Sequence, residues 1–124
     1  MSRSLLVLWA PFVAALGVVF WLSSLPDVPV PRHVWDKLLH AVGYAGLGVL
    51  AMRAFHGGLV RPRPVPTALA GLTVILWGIS DEFHQSFVPG RDASALDVLA
   101  DAVGFAIGAV ATGLGTAWRG AAAG

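Results

Sequence analysis

The sequence predicts an all-α integral membrane protein, a bundle of four membrane-spanning helices in one domain over residues 1–124. The first observation is composition: 56% of the residues are hydrophobic and only 12% are charged, and the mean hydropathy is +0.75. A soluble domain of this size is far less apolar. The second observation is that the chain contains four apolar runs of about 20 residues, the length that crosses a hydrocarbon core as a helix.

The four spans follow in order, separated by helix-breaking residues. The first is predicted over residues 5–25, which hold no charge. A cleaved signal peptide is the alternative, but its apolar region is usually only about 7–15 residues and no A-x-A cleavage site follows here. Prolines then break the helix, and the second span is predicted over about 34–55, the third over about 65–87 and the fourth, capped by Ser94, over about 95–118. The residues after 118 are expected to be loose.

The distribution of arginines predicts the orientation. With four spans, one side of the membrane carries five arginines and no acidic residue, and the other carries three cationic residues and all seven acidic ones. Because Lys and Arg favour cytoplasmic loops, we expect both termini in the cytoplasm and the acidic residues at the outer face of the cell membrane.

Composition also excludes several classes of function. The chain has no cysteine, which rules out disulfides, thiolate metal sites and a cysteine nucleophile. The net charge is only +1 and no basic stripe is present, so nucleic acid is not expected as a partner. The lipid bilayer is the expected environment.

Polar residues recur at helical spacing near the outer ends of spans two to four. In chain order they are Asp36, His40 and Tyr44 on the second span, Asp81, Glu82 and Gln85 on the third, Arg91 in the following turn, and Asp97 and Asp101 on the fourth. His40, Asp81 and Asp101 lie about five or six residues inside their helix ends, roughly 7–9 Å deep, so they are expected in one layer. A charged group at the bilayer centre costs at least about 2.5 kcal/mol, so this layer should face the bundle interior.

Gly104 and Gly108 continue the stripe of Asp97 and Asp101 along the fourth span. Small residues four apart allow membrane helices to approach closely. They predict a packing seam, through which the protein is also expected to oligomerise.

The ordered polar residues resemble a known family. The matching positions are Asp36-Lys37-x-x-His40-x-x-x-Tyr44, Asp81-Glu82-x-x-Gln85-x-x-x-Pro89-x-Arg91, and Asp97 with Gly104 and Gly108 beyond it. Over about residues 23–110 they resemble the VanZ-like family of small membrane proteins, in which Asn usually stands where this chain has Asp101. That family is named for a member associated with resistance to teicoplanin, a lipid-bearing glycopeptide antibiotic. The resemblance implies an envelope protein that affects susceptibility to lipoglycopeptides.

Three functions stay open at this point. The first is a pocket that binds a lipid-linked envelope intermediate or a lipoglycopeptide, with Tyr44, Gln85, Arg91, Asp97 and Asp101 as ligand-binding residues and Arg91 meeting an anionic head. The second is an enzyme that modifies an envelope lipid by acid–base or metal chemistry. The catalytic candidates are Asp36, His40, Asp81 and Glu82, and the candidate ligands of a divalent metal are Asp36, His40, Asp81, Glu82, Asp97 and Asp101. The third is a polar network that only fixes helix packing, or a proton-coupled transporter.

Other polar residues are expected outside the site. Lys37 and Arg32 are interpreted as interfacial residues that extend toward water. If Arg91 does not bind an anionic head group, it is expected to form an ion pair with Asp92 or Asp97. His84 is expected to face away from the cluster, and His56 is interpreted as an ordinary loop residue.

Overall fold

A computed structural model describes residues 2–28 and 35–124 of the chain, so that Arg32 and the predicted start of the second span at residue 34 lie outside it. These residues form four α-helices: α1 (Arg3–Ser24), α2 (Asp36–His56), α3 (Pro64–Gln85) and α4 (Ala95–Ala123). Each is long and apolar enough to cross a membrane. The predicted all-α architecture with four spans is confirmed.

Local signals set the helix ends. Gly57 adopts a left-handed conformation (φ 75°) directly after α2, as glycine does at many helix C-termini. Pro64 opens α3, where its missing N–H removes no helical hydrogen bond. The Ser94 hydroxyl accepts a hydrogen bond from the Leu96 N–H at 3.2 Å, which confirms it as the cap of α4. The expectation of a loose tail after residue 118 is wrong, because α4 continues through Arg119 and Gly120 to Ala123. Its last three residues are alanines, the strongest helix formers.

The two middle helices hold the bundle together. Both α2 and α3 pack against each other and against α1 and α4, whereas α1 and α4 do not contact one another within the described residues. The core between them is apolar and includes Phe12, Leu47, Met52 and Val74. The contact of α2 with α4 is the most extensive in the bundle.

Glycines explain why α2 and α4 lie so close. A Cβ atom added at Gly104 would lie against the Ala41 carbonyl oxygen and 2.9 Å from Tyr44 Cβ, and one added at Gly108 would lie against the Ala45 carbonyl oxygen. The predicted seam of small residues therefore exists, but it is used within the chain. Oligomerisation stays a prediction, and it would need a different surface from these two glycines.

The outward faces of the helices are apolar. Along α4, for example, Leu99, Val103, Ile107, Val110 and Leu114 are between 48% and 67% exposed. A soluble monomer rarely exposes a continuous apolar surface of this extent. This surface fits acyl chains, in agreement with a multi-pass membrane protein.

Candidate functional site

Successive helices of the bundle alternate in direction, so the end of α1, the start of α2, the end of α3 and the start of α4 lie at one end of the bundle. The end at which α1 and α3 finish and α2 and α4 begin is called the acidic end here. It holds the predicted catalytic and ligand-binding residues: Asp36, His40, Tyr44, Asp81, Glu82, Gln85, Arg91, Asp97 and Asp101. The structure thus brings all three predicted polar faces to one level of the bundle.

Two polar pairs join α2 to α4 at this end. Lys37 forms an ion pair and hydrogen bond with Asp97, which is 1% exposed. One turn further along, the Nδ1 atom of His40 lies 2.7 Å from Oδ1 of Asp101. Lys37 is therefore part of the polar cluster and not outside it as expected, because α2 and α4 approach closely enough for its ammonium group to reach Asp97. Its location at the membrane interface stays a prediction.

The His40–Asp101 contact gives a structural meaning to the acidic residue at position 101. Gly78 of α3 leaves room for the carboxylate of Asp101, because a Cβ atom at position 78 would come 2.8 Å from Oδ2 of Asp101. The second ring nitrogen of His40, Nε2, lies 3.9 Å from Oδ2 of Asp36. The imidazole is therefore placed between a buried carboxylate and an exposed one.

A second polar group joins α1 to α3. The Ser23 hydroxyl is hydrogen-bonded to Oδ2 of Asp81, and Gln85 Nε2 donates to Ser23 Oγ at 3.1 Å and to Asp81 Oδ2 at 3.4 Å. The sequence reasoning missed Ser23. The sequence signal was weak: Ser23 stands directly before Ser24 at the end of an otherwise apolar span, and this position does not fix the direction of its side chain.

Glu82 has a role in connecting two helices. Its Oε1 atom accepts a hydrogen bond from the Ser94 N–H at 2.7 Å, which joins the end of α3 to the cap of α4. Its Oε2 atom and Oδ2 of Asp97 have no hydrogen-bond partner among the described residues. One carboxylate oxygen of Glu82, Oε1, therefore binds the chain between α3 and α4.

Arg91 anchors that turn to α1. Its Nη1 atom donates to the carbonyl oxygens of Leu22 at 3.3 Å and Leu25 at 3.1 Å, which are exposed by the end of the helix. Of the two predicted anchors, Asp92 and Asp97, neither pairs with Arg91 in the part of the chain that the structure describes. Its position depends on backbone carbonyls.

A cavity of about 140 Å³, called the inner cavity here, lies between α1, α2 and α3 at the acidic end. Its polar lining is Ser23, Asp36, His40, Tyr44, Asp81, Gln85 and Arg91, and its other walls are Val19, Leu22, Val28, Leu39 and Gly43. Two of the polar residues carry oxygens without a partner within residues 2–28 and 35–124: the Tyr44 hydroxyl and Oδ1 of Asp81. Tyr44 is 3% exposed and Asp81 is 5% exposed.

A second hollow of about 360 Å³, the outer recess, adjoins the inner cavity. Asp36, Gln85 and Arg91 line both spaces, and the recess adds Lys37, Gly90, Asp92 and Ser94. Arg91 therefore stands between the recess at the helix ends and the cavity inside the bundle.

The six predicted metal ligands do not converge on one point. Among the described residues, Asp36, His40 and Asp97 offer ligand atoms within 4.8 Å of one another. Lys37 Nζ lies among them, paired with Asp97 and 3.5 Å from Oδ2 of Asp36. A lysine ammonium already supplies the positive charge there, so a divalent ion would have to displace it.

Two histidines lie apart from the inner cavity. His84 stacks on Phe20 of α1 with ring centroids 4.6 Å apart and lies 3.0 Å from the Ser24 hydroxyl. It does not line the inner cavity, in keeping with the expectation that it faces away from the cluster. His56 is buried at the opposite end of the bundle, and the view of it as an ordinary loop residue is wrong. Its Nε2 atom accepts a hydrogen bond from the Arg63 N–H at 3.0 Å, while Nδ1 lies 2.9 Å from the Met52 carbonyl oxygen.

Comparison with known proteins identifies the family of the chain. The VanZ/LLP1 family matches residues 3–115. The chain belongs to the VanZ/LLP1 family. No match was found among curated proteins or among solved structures. In this VanZ/LLP1 protein the matched region includes all four helices up to residue 115, and hence the complete acidic end and the inner cavity.

Proposed function

We propose that this VanZ/LLP1 protein binds the polar head of an amphiphile in the inner cavity, from the outer side of the cell membrane. The amphiphile is a lipid-linked envelope intermediate or a lipoglycopeptide such as teicoplanin. Binding of this kind would connect the chain to the teicoplanin resistance for which the family is named.

The observation that carries the proposal is that two residues lining the inner cavity, Tyr44 and Asp81, each carry an oxygen without a partner among the described residues. A buried polar group without a hydrogen-bond partner costs about 1–3 kcal/mol, and such groups are rare where they serve only folding. A polar group of a ligand would offset this cost. Phenylalanine in place of Tyr44 would avoid it altogether, so the hydroxyl is better explained by binding than by packing.

The walls of the cavity suit an amphiphile. Val19, Leu22 and Leu39 form apolar walls beside the polar residues. The inner cavity, at about 140 Å³, is far smaller than a lipid molecule and is open to its surroundings. A whole lipid does not fit, so its chains would lie outside, along the apolar faces of the helices.

The acid–base enzyme is the second candidate, supported by the contact of His40 with Asp101. A carboxylate that binds Nδ1 of a histidine orients the ring and leaves Nε2 available to exchange a proton. His40 lines the inner cavity, where Nε2 would meet the head of a bound lipid. In that case the same cavity is a substrate site.

Binding is tested with the full chain purified in detergent and teicoplanin as the probe. Saturable binding is expected, and Tyr44→Phe and Asp81→Asn should each weaken it at least about fivefold while leaving thermal stability unchanged or higher. Thr112→Val is the matched control, because it removes a buried hydroxyl that bonds only to its own helix, at Gly108. Wild-type affinity in both cavity variants, or a loss of affinity that follows a loss of stability, would favour a purely structural network.

The two candidates separate at His40. His40→Asn keeps a hydrogen-bond donor toward Asp101 but removes the base. An enzyme would keep teicoplanin or lipid binding and lose the chemical change in the bound molecule, detected by mass spectrometry. A binding protein would release every bound molecule unaltered, in the wild type as in the variant.

A further inference from the structure

We infer that the head group received by the inner cavity is zwitterionic: a primary ammonium bound by Asp81 beside an anionic group, such as a phosphate, bound by Arg91. This inference rests on the proposed function and specifies the chemistry of its ligand. A phosphoethanolamine head group is the simplest molecule with this arrangement, and the charged groups of a lipopeptide are a second source.

The Asp81 side of the cavity selects a donor. Its Oδ2 atom is held by Ser23 and Gln85, whereas Oδ1 has no partner among the described residues. The hydroxyl of Tyr44, which lines the same cavity, is likewise without a partner in that part of the chain. An ammonium group carries three N–H donors and no acceptor, so it suits a lining whose unpartnered atoms are both oxygens. A phosphate in the same place would bring a second anion against Asp81.

The Arg91 side selects an anion. Arg91 lines both the inner cavity and the outer recess, whereas Asp81 lines only the inner cavity. The carbonyl groups of Leu22 and Leu25 hold its Nη1 atom in place. The guanidinium group has further N–H donors in its planar fork, and none of these is hydrogen-bonded within residues 2–28 and 35–124. That fork matches the oxygens of a phosphate.

The two charges of the ligand would lie at different places along the lining. Asp81 lines only the inner cavity, whereas Arg91 also lines the outer recess. The anion would therefore stay near Arg91, at the boundary with the outer recess. The recess lining holds two cationic residues, Lys37 and Arg91, and two carboxylates, Asp36 and Asp92. Lys37 is paired with Asp97, so Arg91 is the cation of this lining that would meet the anionic group.

A methylation series of phospholipids tests the inference. Phosphatidylethanolamine, its N-methyl and N,N-dimethyl derivatives and phosphatidylcholine share one phosphate and one set of chains but differ in the number of N–H donors. Binding to the full chain in detergent is measured by native mass spectrometry, with phosphatidylglycerol as the lipid that lacks nitrogen. Affinity is expected to fall stepwise, by at least about tenfold between phosphatidylethanolamine and phosphatidylcholine, and phosphatidylglycerol should bind no better than phosphatidylcholine.

Variants assign the effect to the cavity. Asp81→Asn should flatten the series, because it removes the charge that selects the ammonium, whereas Arg91→Lys should weaken all phosphate-bearing lipids by a similar factor. Thr112→Val should leave the series unchanged. Displacement of phosphatidylethanolamine by teicoplanin would make the lipopeptide a second source of the same chemistry, and its absence would leave the phospholipid as the source.

The outcomes also separate this inference from the proposed function. Equal binding of the five lipids by the wild type, still weakened by Tyr44→Phe, would overturn the zwitterionic head group and keep an amphiphile site. A series that persists in Asp81→Asn would likewise overturn the role of Asp81. Failure of the lipids and of teicoplanin to bind would overturn both.

Discussion

The substitution Gly108→Ala tests the close contact between α2 and α4. The added methyl group would lie against the carbonyl oxygen of Ala45, 3.0 Å from the Val49 nitrogen and 3.2 Å from the Gly48 carbonyl carbon. All of these are backbone atoms of α2, so no side-chain rotation relieves the clash and the two helices must move apart. Overpacking of this kind costs about 1–3 kcal/mol.

The assay is thermal unfolding of the full chain in detergent, followed by circular dichroism. For a chain of this length, a loss of about 2 kcal/mol corresponds to a fall in Tm of roughly 5–10 °C. Gly46→Ala is the matched control, since nothing lies within 4 Å of a Cβ atom at Gly46 on α2. It should leave Tm unchanged or slightly raise it, because alanine favours the helix over glycine.

The same substitution should affect the acidic end. When α4 moves away from α2, the contacts of Lys37 with Asp97 and of His40 with Asp101 lengthen, because both pairs bridge these helices. Teicoplanin binding should therefore weaken in Gly108→Ala although the residue is not in the inner cavity. Equal Tm values for Gly108→Ala and Gly46→Ala would refute the assignment of this seam to the contact between α2 and α4.

Further predictions concern the remaining polar contacts and the orientation. Lys37→Met should lower stability by about 1–3 kcal/mol by leaving the buried Asp97 carboxylate without its ammonium partner, and Asp97→Leu in the same chain should restore part of that loss in a double-mutant cycle. His56→Ala should speed hydrogen exchange at the Arg63 amide, which donates to His56; unchanged exchange would mean that the loop is held by other contacts. A fluorescent protein that folds only in the cytoplasm should fluoresce when it is fused to the C-terminus. If that fusion does not fluoresce and a reporter that is active only outside the cytoplasm works in its place, the proposed orientation is reversed.

Much of the site could be predicted because its residues occur at helical spacing within apolar spans. Asp36, His40 and Tyr44 share one face of α2, and all three line the inner cavity as that spacing suggests. Because a charged side chain that faces lipid is costly, the polar faces of the helices are expected to turn toward one another inside the bundle. The contribution of Ser23 could not be predicted in this way, since a serine near the end of a span costs little wherever it faces.

The roles of Lys37 and His56 were misjudged for a related physical reason. A lysine near a helix end can extend to water or turn inward, and spacing along one helix does not distinguish the two. Lys37 turns toward Asp97 because the glycine seam brings α4 within its reach. The partner of His56 could not be predicted for a similar reason. The Arg63 N–H that donates to His56 lies beyond a turn, and the path of that turn depends on how α2 and α3 pack.

The amino-acid sequence by itself determined that this chain forms four apolar helices and that its acidic residues gather at one end of them, since hydropathy, helix breakers and helical spacing act locally. The tertiary structure alone decided which carboxylate meets which partner: Asp97 with Lys37, Asp101 with His40, and Asp81 with Ser23 and Gln85. These choices depend on the rotation and separation of neighbouring helices. Both are set by contacts between residues far apart in the chain, above all the close approach of α2 and α4 at Gly104 and Gly108.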